Sequence, residues 1–497
     1  MYVTLNFDVE DLVYPPEERT DDIAGWMART LTEVGLRGTF HVIADKARAM
    51  LQRKRNETLA LLSEHDIGTH SDSFRHPLVP EIVEQCGWED GVERLVAYEK
   101  RAVQGIKETL WKSPASMSCH AFFTAPQSYG AAAELGLPYV YGFAYCPGHQ
   151  GPVWYAGALS FPTRGDGQGP SCHLSLGLDP ALSYDEEFPR KMDLLREELD
   201  RRAAAGVECV TLFVCHPIRV RSKGWTEDEL YANGVNRTVE DIGYAYELRP
   251  LASVEKAKAN FRRFCDYLRG RQDIEVVGMS RAAELFAGQP AEVPRDALFA
   301  YATSGDSPAH PRLAPNFSPA ELLTGLAESL VEGEERGALP RAVERRRVIG
   351  PVEKPVLVPE KPFLTREQLL GLCRELVEAA KEAGHLPANL KLGDARIGLG
   401  SLHAACVATF AAACRGDQFA QLRLQTVPRY PAFAGELDRI MSWLEESRFL
   451  GPEFSADKLR LHARLQAWSL KPARLRPGSG PDLEAGGFVP SELVSPR

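Results

Sequence analysis

Apolar and polar positions fall into two regimes along the chain. Up to about residue 287, short apolar runs alternate with stretches of helical spacing. Residues 2–7 read as a strand ending in acids. Residues 20–34 carry Ile23, Met27, Leu31 and Val34 at the intervals of one helix face. The run GTFHVI (38–43) predicts a second strand, 50–63 a helix, 66–68 the start of a third strand and 91–109 another helix. VTLFVC (210–215) is a nearly continuous buried-strand pattern, and Pro217 stops it. Residues 253–268 predict an amphipathic helix and 274–277 a late strand. Strands separated by helices of about 10–15 residues predict an α/β domain over 1–287, either a barrel or a wound sheet.

The pattern changes after Phe286. Residues 288–316 hold Pro290, Pro294, Pro308, Pro311 and Pro315 with little periodicity, which predicts a linker or wrapped segment. Residues 317–471 read as mostly helical. Within them, FSPAELLTGLAESLVEGEERGALP (317–340) matches LTREQLLGLCRELVEAAKEAGHLP (364–387) at Leu322/Leu369, Leu323/Leu370, Gly337/Gly384, Leu339/Leu386 and Pro340/Pro387, a weak internal repeat. Residues 472–497, rich in Pro, Gly and Ser, predict a disordered tail.

Composition narrows the function classes. The chain has 497 residues, 44% of them apolar and 25% charged, with a formal net charge of -10. This is ordinary globular composition, long enough for more than one domain. The charge gives no support to a nucleic-acid partner. The cysteines form no CxxC pair, so reduced, buried thiols are expected. The opening MYVTLNFDVED has neither the basic nor the apolar part of a secretory signal. No stretch of about 18 apolar residues is present, so no membrane span is expected. As given, the chain reads as cytoplasmic, and its oligomeric state is not legible.

Three constellations hold candidate chemistry. NFDVED places Asp8, Glu10 and Asp11 at the end of an apolar strand, where close carboxylates call for a cation or a shared proton. In α/β folds, that end of a strand faces the active site. HDIGTHSDSFRHP holds His65, His70 and His76. Imidazoles are ligands for several divalent metals, while His65 reads as a helix C-terminal residue. TLFVCHPIRVRS ends a buried run on His216, a suitable acid/base position. The Arg219, Arg221 and Lys223 that follow read as a solvated loop or, alternatively, as a seat for an anionic group.

Taken in order, NFDVED, GLRGTFHV, HDIGTHS and TLFVCHP resemble the signature blocks of the polysaccharide deacetylase family (NodB homology, carbohydrate esterase family 4), over roughly residues 1–287. The resemblance implies a distorted (β/α)7-type barrel. It also implies one divalent metal, expected to be zinc, and hydrolysis of a non-peptide C–N bond, first of all in an N-acetylated amino sugar or polysaccharide. Carried over residue by residue, it makes Asp8 the general base and His216 the general acid. Glu10 becomes the metal acid, with Asp11 competing, and His70 the first metal histidine. The second metal histidine of the family falls at Phe74, so His76 becomes the expected third ligand, with His120 and His149 as further candidates. Pro126 and Gln127 stand where the family's groove arginine belongs. Tyr145, Trp154 and Tyr155 are candidate sugar-stacking aromatics. The alternatives are a catalytically impaired glycan-binding homologue and an allantoinase-like small-amide hydrolase. The two C-terminal helices weakly resemble pseudomurein-binding-type repeats, which implies a polysaccharide-binding accessory module.

Overall fold

The computed structural model describes all residues except 11, 121–123, 143–150, 163–170, 225–226, 244–246, 305–315, 359–361, 418–419, 432, 441–443, 445–446 and 477–497. Its N-terminal part is a curled, mainly parallel sheet. The strands are β1 (Tyr2–Val9), β2 (Thr39–Val42), β3 (Asp66–Thr69), β4 (Ser116–Ser118), β5 (Tyr139–Tyr141), β6 (Val153–Tyr155), β7 (Ala158–Ser160), β8 (His173–Ser175), β9 (Cys209–Cys215) and β10 (Glu275–Val277). Parallel pairing runs β8-β9-β1-β2-β3-β4-β5 and continues into β7. These seven strands before β7 form the α/β barrel-type core that the apolar pattern and the resemblance imply. Among the described residues β5 and β8 are not paired, and the Tyr141 hydroxyl lies 2.5 Å from His173 Nε2.

The burial pattern explains why β1 holds the centre. All eight of its residues are buried. It pairs with β9 along one side, while β10 and β2 share the other, at Tyr2–Thr4 and Asn6–Val9 respectively. A strand covered on both faces must be apolar along its length, so the polar residues it keeps need a local reason. Thr4, Asn6 and Thr211 are linked by hydrogen bonds in the interior, through Thr4 Oγ1 to Thr211 Oγ1 and Asn6 Nδ2 to Thr211 Oγ1. Asp8 has no such neutral partner and belongs to the site described below.

The C-terminal region has its own apolar core, around Leu322, Leu326, Leu370, Cys373, Leu402 and Phe410. Helices Pro319–Arg336 and Arg366–Ala383 pack together. Both start on reciprocal capping boxes, Ser318 with Glu321 and Thr365 with Gln368. Both end on a left-handed glycine, Gly337 (φ 74°) and Gly384 (φ 70°). The repeat seen in sequence is therefore a repeat of helix length, start and stop. Within 288–316, Glu292–Pro294 forms a strand and Arg295–Ala302 a helix, with Val293 and Leu298 buried in this second core. The chain then returns to the first sheet, where Lys471–Pro472 pairs antiparallel with β6. Residues 472–476 are thus ordered against the sheet, and 477–497 lie outside the described residues. Every described cysteine is unpaired, and all but Cys414 are buried. Among the described residues, no helix is long and apolar enough to cross a membrane.

Candidate active site

Parallel strands present all their C-terminal ends on one side of the sheet. Asp8 and Glu10 leave the end of β1, His70 follows β3, His120 follows β4 and His216 follows β9. Their side chains meet. Glu10 Oε2 lies 3.0 Å from His70 Nε2 and 3.3 Å from His120 Nε2. His216 Nε2 is 3.7 Å from Glu10 Oε1 and 4.0 Å from Asp8 Oδ2. His70 Nε2 is 3.9 Å from Asp8 Oδ2.

The surroundings aim these groups. His70 Nδ1 lies 3.2 Å from Ser118 Oγ, so an Nδ1–H bond there leaves Nε2 turned to Glu10. The next residue, Ser71, holds a left-handed φ of 65°. Its conformation is fixed on three sides: Ala44 N donates to Ser71 O, His120 N donates to Ser71 Oγ, and Asp72 is clamped by Arg48 and Arg101. Backbone held in this region of φ concentrates at functional sites. His216 is oriented by Asp179, whose Oδ1 accepts from His216 N at 3.3 Å and whose Oδ2 lies 3.2 Å from Nδ1.

His41 stands beside Asp8 in the β1–β2 register, with Nδ1 3.4 Å from Asp8 Oδ1 and Nε2 3.1 Å from Ser116 Oγ. Gly68 makes room for that ring, because a Cβ at 68 would meet His41 Cδ2 at 2.2 Å.

Electrostatics follow from burial and pairing. Burial alone would raise Asp8 and Glu10, but the surrounding imidazoles more than offset it. Both carboxyls are held down, Glu10 well below the usual range. His70 is raised, because Asp8 and Glu10 overcome its burial. Burial pulls His216 down, yet the Asp179 hydrogen bond and the Glu10, Asp179 and Asp8 charges lift it to about 9. His41 is lowered, chiefly by burial.

A resident divalent metal is implied by the family resemblance, and Glu10, His70 and His120 form a carboxylate-plus-two-imidazole donor set of the kind zinc takes in open sites. Their 3.0 and 3.3 Å separations are near the roughly 3.3 Å between neighbouring ligands on a tetrahedral zinc with bonds of about 2.0–2.1 Å. The ring nitrogens lie against Glu10 itself, and among the described residues no group of three or more His, Cys, Asp or Glu is placed so that it could hold a metal ion without rearranging. The donor set fits by chemistry. His120 Nδ1 is buried without a hydrogen-bond partner among the described residues, so its ring turns its other nitrogen to Glu10.

His76 is not part of this cluster. Its Nδ1 lies 2.6 Å from Glu81 Oε2 and its Nε2 2.7 Å from the Tyr231 carbonyl, to which it must donate. Both nitrogens are engaged, which corrects its expected role as a ligand. Phe74 instead packs edge-on against His120 (centroids 6.4 Å) and near Tyr231 (6.0 Å). The second imidazole therefore comes from the end of the neighbouring strand β4.

Other sequence candidates are placed elsewhere. His65 is buried between Ala28 O and Gly38 N, with burial driving it down to about 4. Pro126 precedes the helix Gln127–Glu134, and Gln127 is buried with Nε2 donating to Gly87 O. These two serve helix packing rather than a groove. Trp154 and Tyr155 sit on β6 beside the C-terminal segment, away from Asp8. Arg221 pairs with Glu18 and Lys223 with Glu247. Asp11, Tyr145 and His149 lie outside the described residues. Asp179 and His41 were not singled out from sequence. The signal for Asp179 was present in HLSLGLDP, an alternating run that ends on an acid much as β1 does.

The shell of the site holds one further unusual acid. Glu99, on the helix Trp88–Leu110, is 1% exposed. Burial first, and then the Asp72 charge, raise its carboxyl to about 8. The folded state therefore binds this proton more tightly than the unfolded chain. The stability linked to it is complete below about 4.5 and is lost as pH rises through about 8, at up to about 1.4 kcal/mol per pH unit. Glu99→Gln should flatten that fall and raise Tm at pH 8 relative to the parent, with the gain shrinking toward pH 4.5. Parallel Tm–pH curves for the two proteins would remove Glu99 as the cause.

No protein-family model matches the chain, and no curated protein matches it. Among solved structures, it is similar to a candidate polysaccharide deacetylase from Mycobacterium smegmatis, with 16% identity and TM-score 0.38 over 57% of this chain and 88% of that one. It is similar to the PuuE allantoinase at 10% identity and TM-score 0.36, over 57% and 89%. It is also similar to a family 4 acetyl xylan esterase from Clostridium thermocellum in complex with a cobalt ion, at 12% identity and TM-score 0.28, over 58% and 92%.

Proposed function

We propose that the N-terminal sheet carries a divalent-metal-dependent hydrolase of N-acyl amides, acting on an N-acetylated amino sugar or polysaccharide. One observation carries this reading. Two carboxylates and three imidazoles from the ends of β1, β3, β4 and β9 converge, and one imidazole is backed by its own carboxylate. Glu10, His70 and His120 are the residues that would hold the metal. When bound, the metal supplies Lewis acidity toward a carbonyl oxygen and lowers the pKa of water.

The chain's own groups divide the proton work. Asp8, ionised and oriented by His41, accepts the proton of the attacking water. His216, held protonated by Asp179, donates to the departing nitrogen. Phe74 in place of the family's second histidine, and the missing groove arginine, are the reasons to consider a catalytically silent binding homologue. His120, with Nε2 3.3 Å from Glu10 Oε2, speaks against the first of them.

Asp8→Asn keeps the shape of the side chain and removes the proton acceptor. Acetate release from N-acetylglucosamine oligomers should fall on the order of 10²-fold or more in kcat, with zinc content measured by elemental analysis unchanged. Undiminished turnover would assign the base to another group. Absence of amide hydrolysis by the parent protein reconstituted with zinc would overturn the reading as a whole.

A further inference from the structure

A second cavity, of about 460 Å³, lies where the first sheet meets the C-terminal region. Trp154 and Tyr155 of β6 form one wall. Glu321, Arg347, Ser469 and Lys471 line the rest. None of the acid/base residues described above borders it.

Its charges do not balance. Lys471 is 7% exposed and donates to Glu321 Oε1 at 2.5 Å. Glu321 is equally buried, and its other oxygen accepts from Ser318 N as the cap of the helix Pro319–Arg336. Arg345, also buried, sits 3.7 Å from the same Glu321 Oε1. Arg347 has no carboxylate partner among the described residues. Lys471 and Arg345 thus share one carboxylate whose two oxygens are both already engaged, and Arg347 adds a third cation. Burial, reinforced by the Arg345 and Arg347 charges, lowers the Lys471 ammonium despite Glu321.

The cavity is also rich in donors. Ser469 Oγ accepts from Gly350 N at 2.7 Å, and its own proton has no acceptor among the described residues. The Trp154 indole Nε1–H is buried without a partner among the described residues. Lys471 and Arg345 are buried cations, and buried charge in excess is costly unless an opposite charge joins it; Arg347, among the lining residues, adds an exposed guanidinium.

We propose that this cavity binds a doubly charged oxyanion, a phosphate group free or esterified to a small molecule, with Arg347 and Lys471 as its cationic contacts. Two uncompensated positive charges match a dianion, and a guanidinium with no other partner suits phosphate geometry. Because its walls come from both regions of the chain, such a ligand fastens the Lys471–Pro472 strand and the Arg347 segment to β6.

The test uses the full chain at constant ionic strength, titrated with inorganic phosphate, glycerol phosphate or acetate while heat of binding and Tm are followed. Phosphate should bind saturably and raise Tm, and acetate should not. A larger response to glycerol phosphate than to inorganic phosphate would identify the esterified form as the ligand, and the reverse the free ion. Arg347→Ala should weaken phosphate binding at least about tenfold. Arg347 is exposed and without a carboxylate partner, so this variant should fold even if Lys471→Met, which strands Glu321, does not. No saturable phosphate binding, equal binding by Arg347→Ala, or an equal response to acetate would overturn the assignment.

Discussion

Replacing His216 with alanine should lower kcat by roughly 10²–10⁴-fold while leaving KM and bound metal little changed. The argument is geometric first. His216 leaves the end of a fully buried strand, β9, and its ring is fixed through Nδ1 by Asp179 Oδ2 at 3.2 Å. That leaves Nε2 facing the region of Asp8 and Glu10, at 4.0 and 3.7 Å. Three carboxylates overcome the burial of the ring and raise it to about 9, so it holds a proton at neutral pH, as a general acid must. Activity that needs this proton is full below the raised value and falls as pH passes through it. With a divalent cation held by Glu10 that alkaline limb would lie lower, and Asp179→Asn should draw it down by removing the ring's main support. An acid that protonates the leaving nitrogen matters least when the nitrogen leaves easily. The His216→Ala defect should therefore shrink on substrates with better leaving groups. An equal defect on good and poor leaving groups would make His216 a structural residue.

How much of this site was legible depends on where each residue sits relative to its strand. Asp8, Glu10 and His216 end long apolar runs, so their position at the C-terminal face follows from alternation and burial alone. His70 ends a four-residue strand and was legible through its neighbours in HDIGTHS. His120 follows β4, of only three residues, in a loop rich in small and aromatic residues. No periodicity points to it, so the sequence offers it only as a further candidate beside His149, and adjacency of β3 and β4 in the folded sheet brings it to Glu10. Asp179 is hidden in the same way, because it acts through contact with a residue 37 positions away. The failure at His76 has a different cause. Spacing within one loop says how near two histidines are in sequence, not which way their rings turn, and Glu81 with the Tyr231 carbonyl turns this one away. The C-terminal helices were legible from capping residues and glycines. The return of Lys471–Pro472 to β6 was not, since two residues of strand carry no pattern.

His120→Ala should abolish most divalent-metal binding, and His76→Ala should not. Among the described residues, the imidazoles within 3.3 Å of Glu10 Oε2 are those of His70 and His120. Loss of groups that merely orient metal ligands costs about 10–100-fold in affinity, so loss of His120 itself should cost at least about 100-fold. Zinc per chain, measured by elemental analysis after reconstitution and dialysis, should fall from near one to a small fraction. His76→Ala should keep the zinc and lose stability instead. It removes the Nδ1 contact to Glu81, whose carboxylate also caps the helix Val79–Val83 through Leu78 N, and the Nε2 hydrogen bond to the Tyr231 carbonyl, at about 0.5–1.5 kcal/mol for each hydrogen bond lost. The two variants thus separate two readouts that a general disturbance of the loop would move together. Full zinc content in His120→Ala with loss in His76→Ala would restore the ligand set read from the spacing of HDIGTHSDSFRHP. It would also require the loop to turn the His76 ring away from Glu81 before metal could bind.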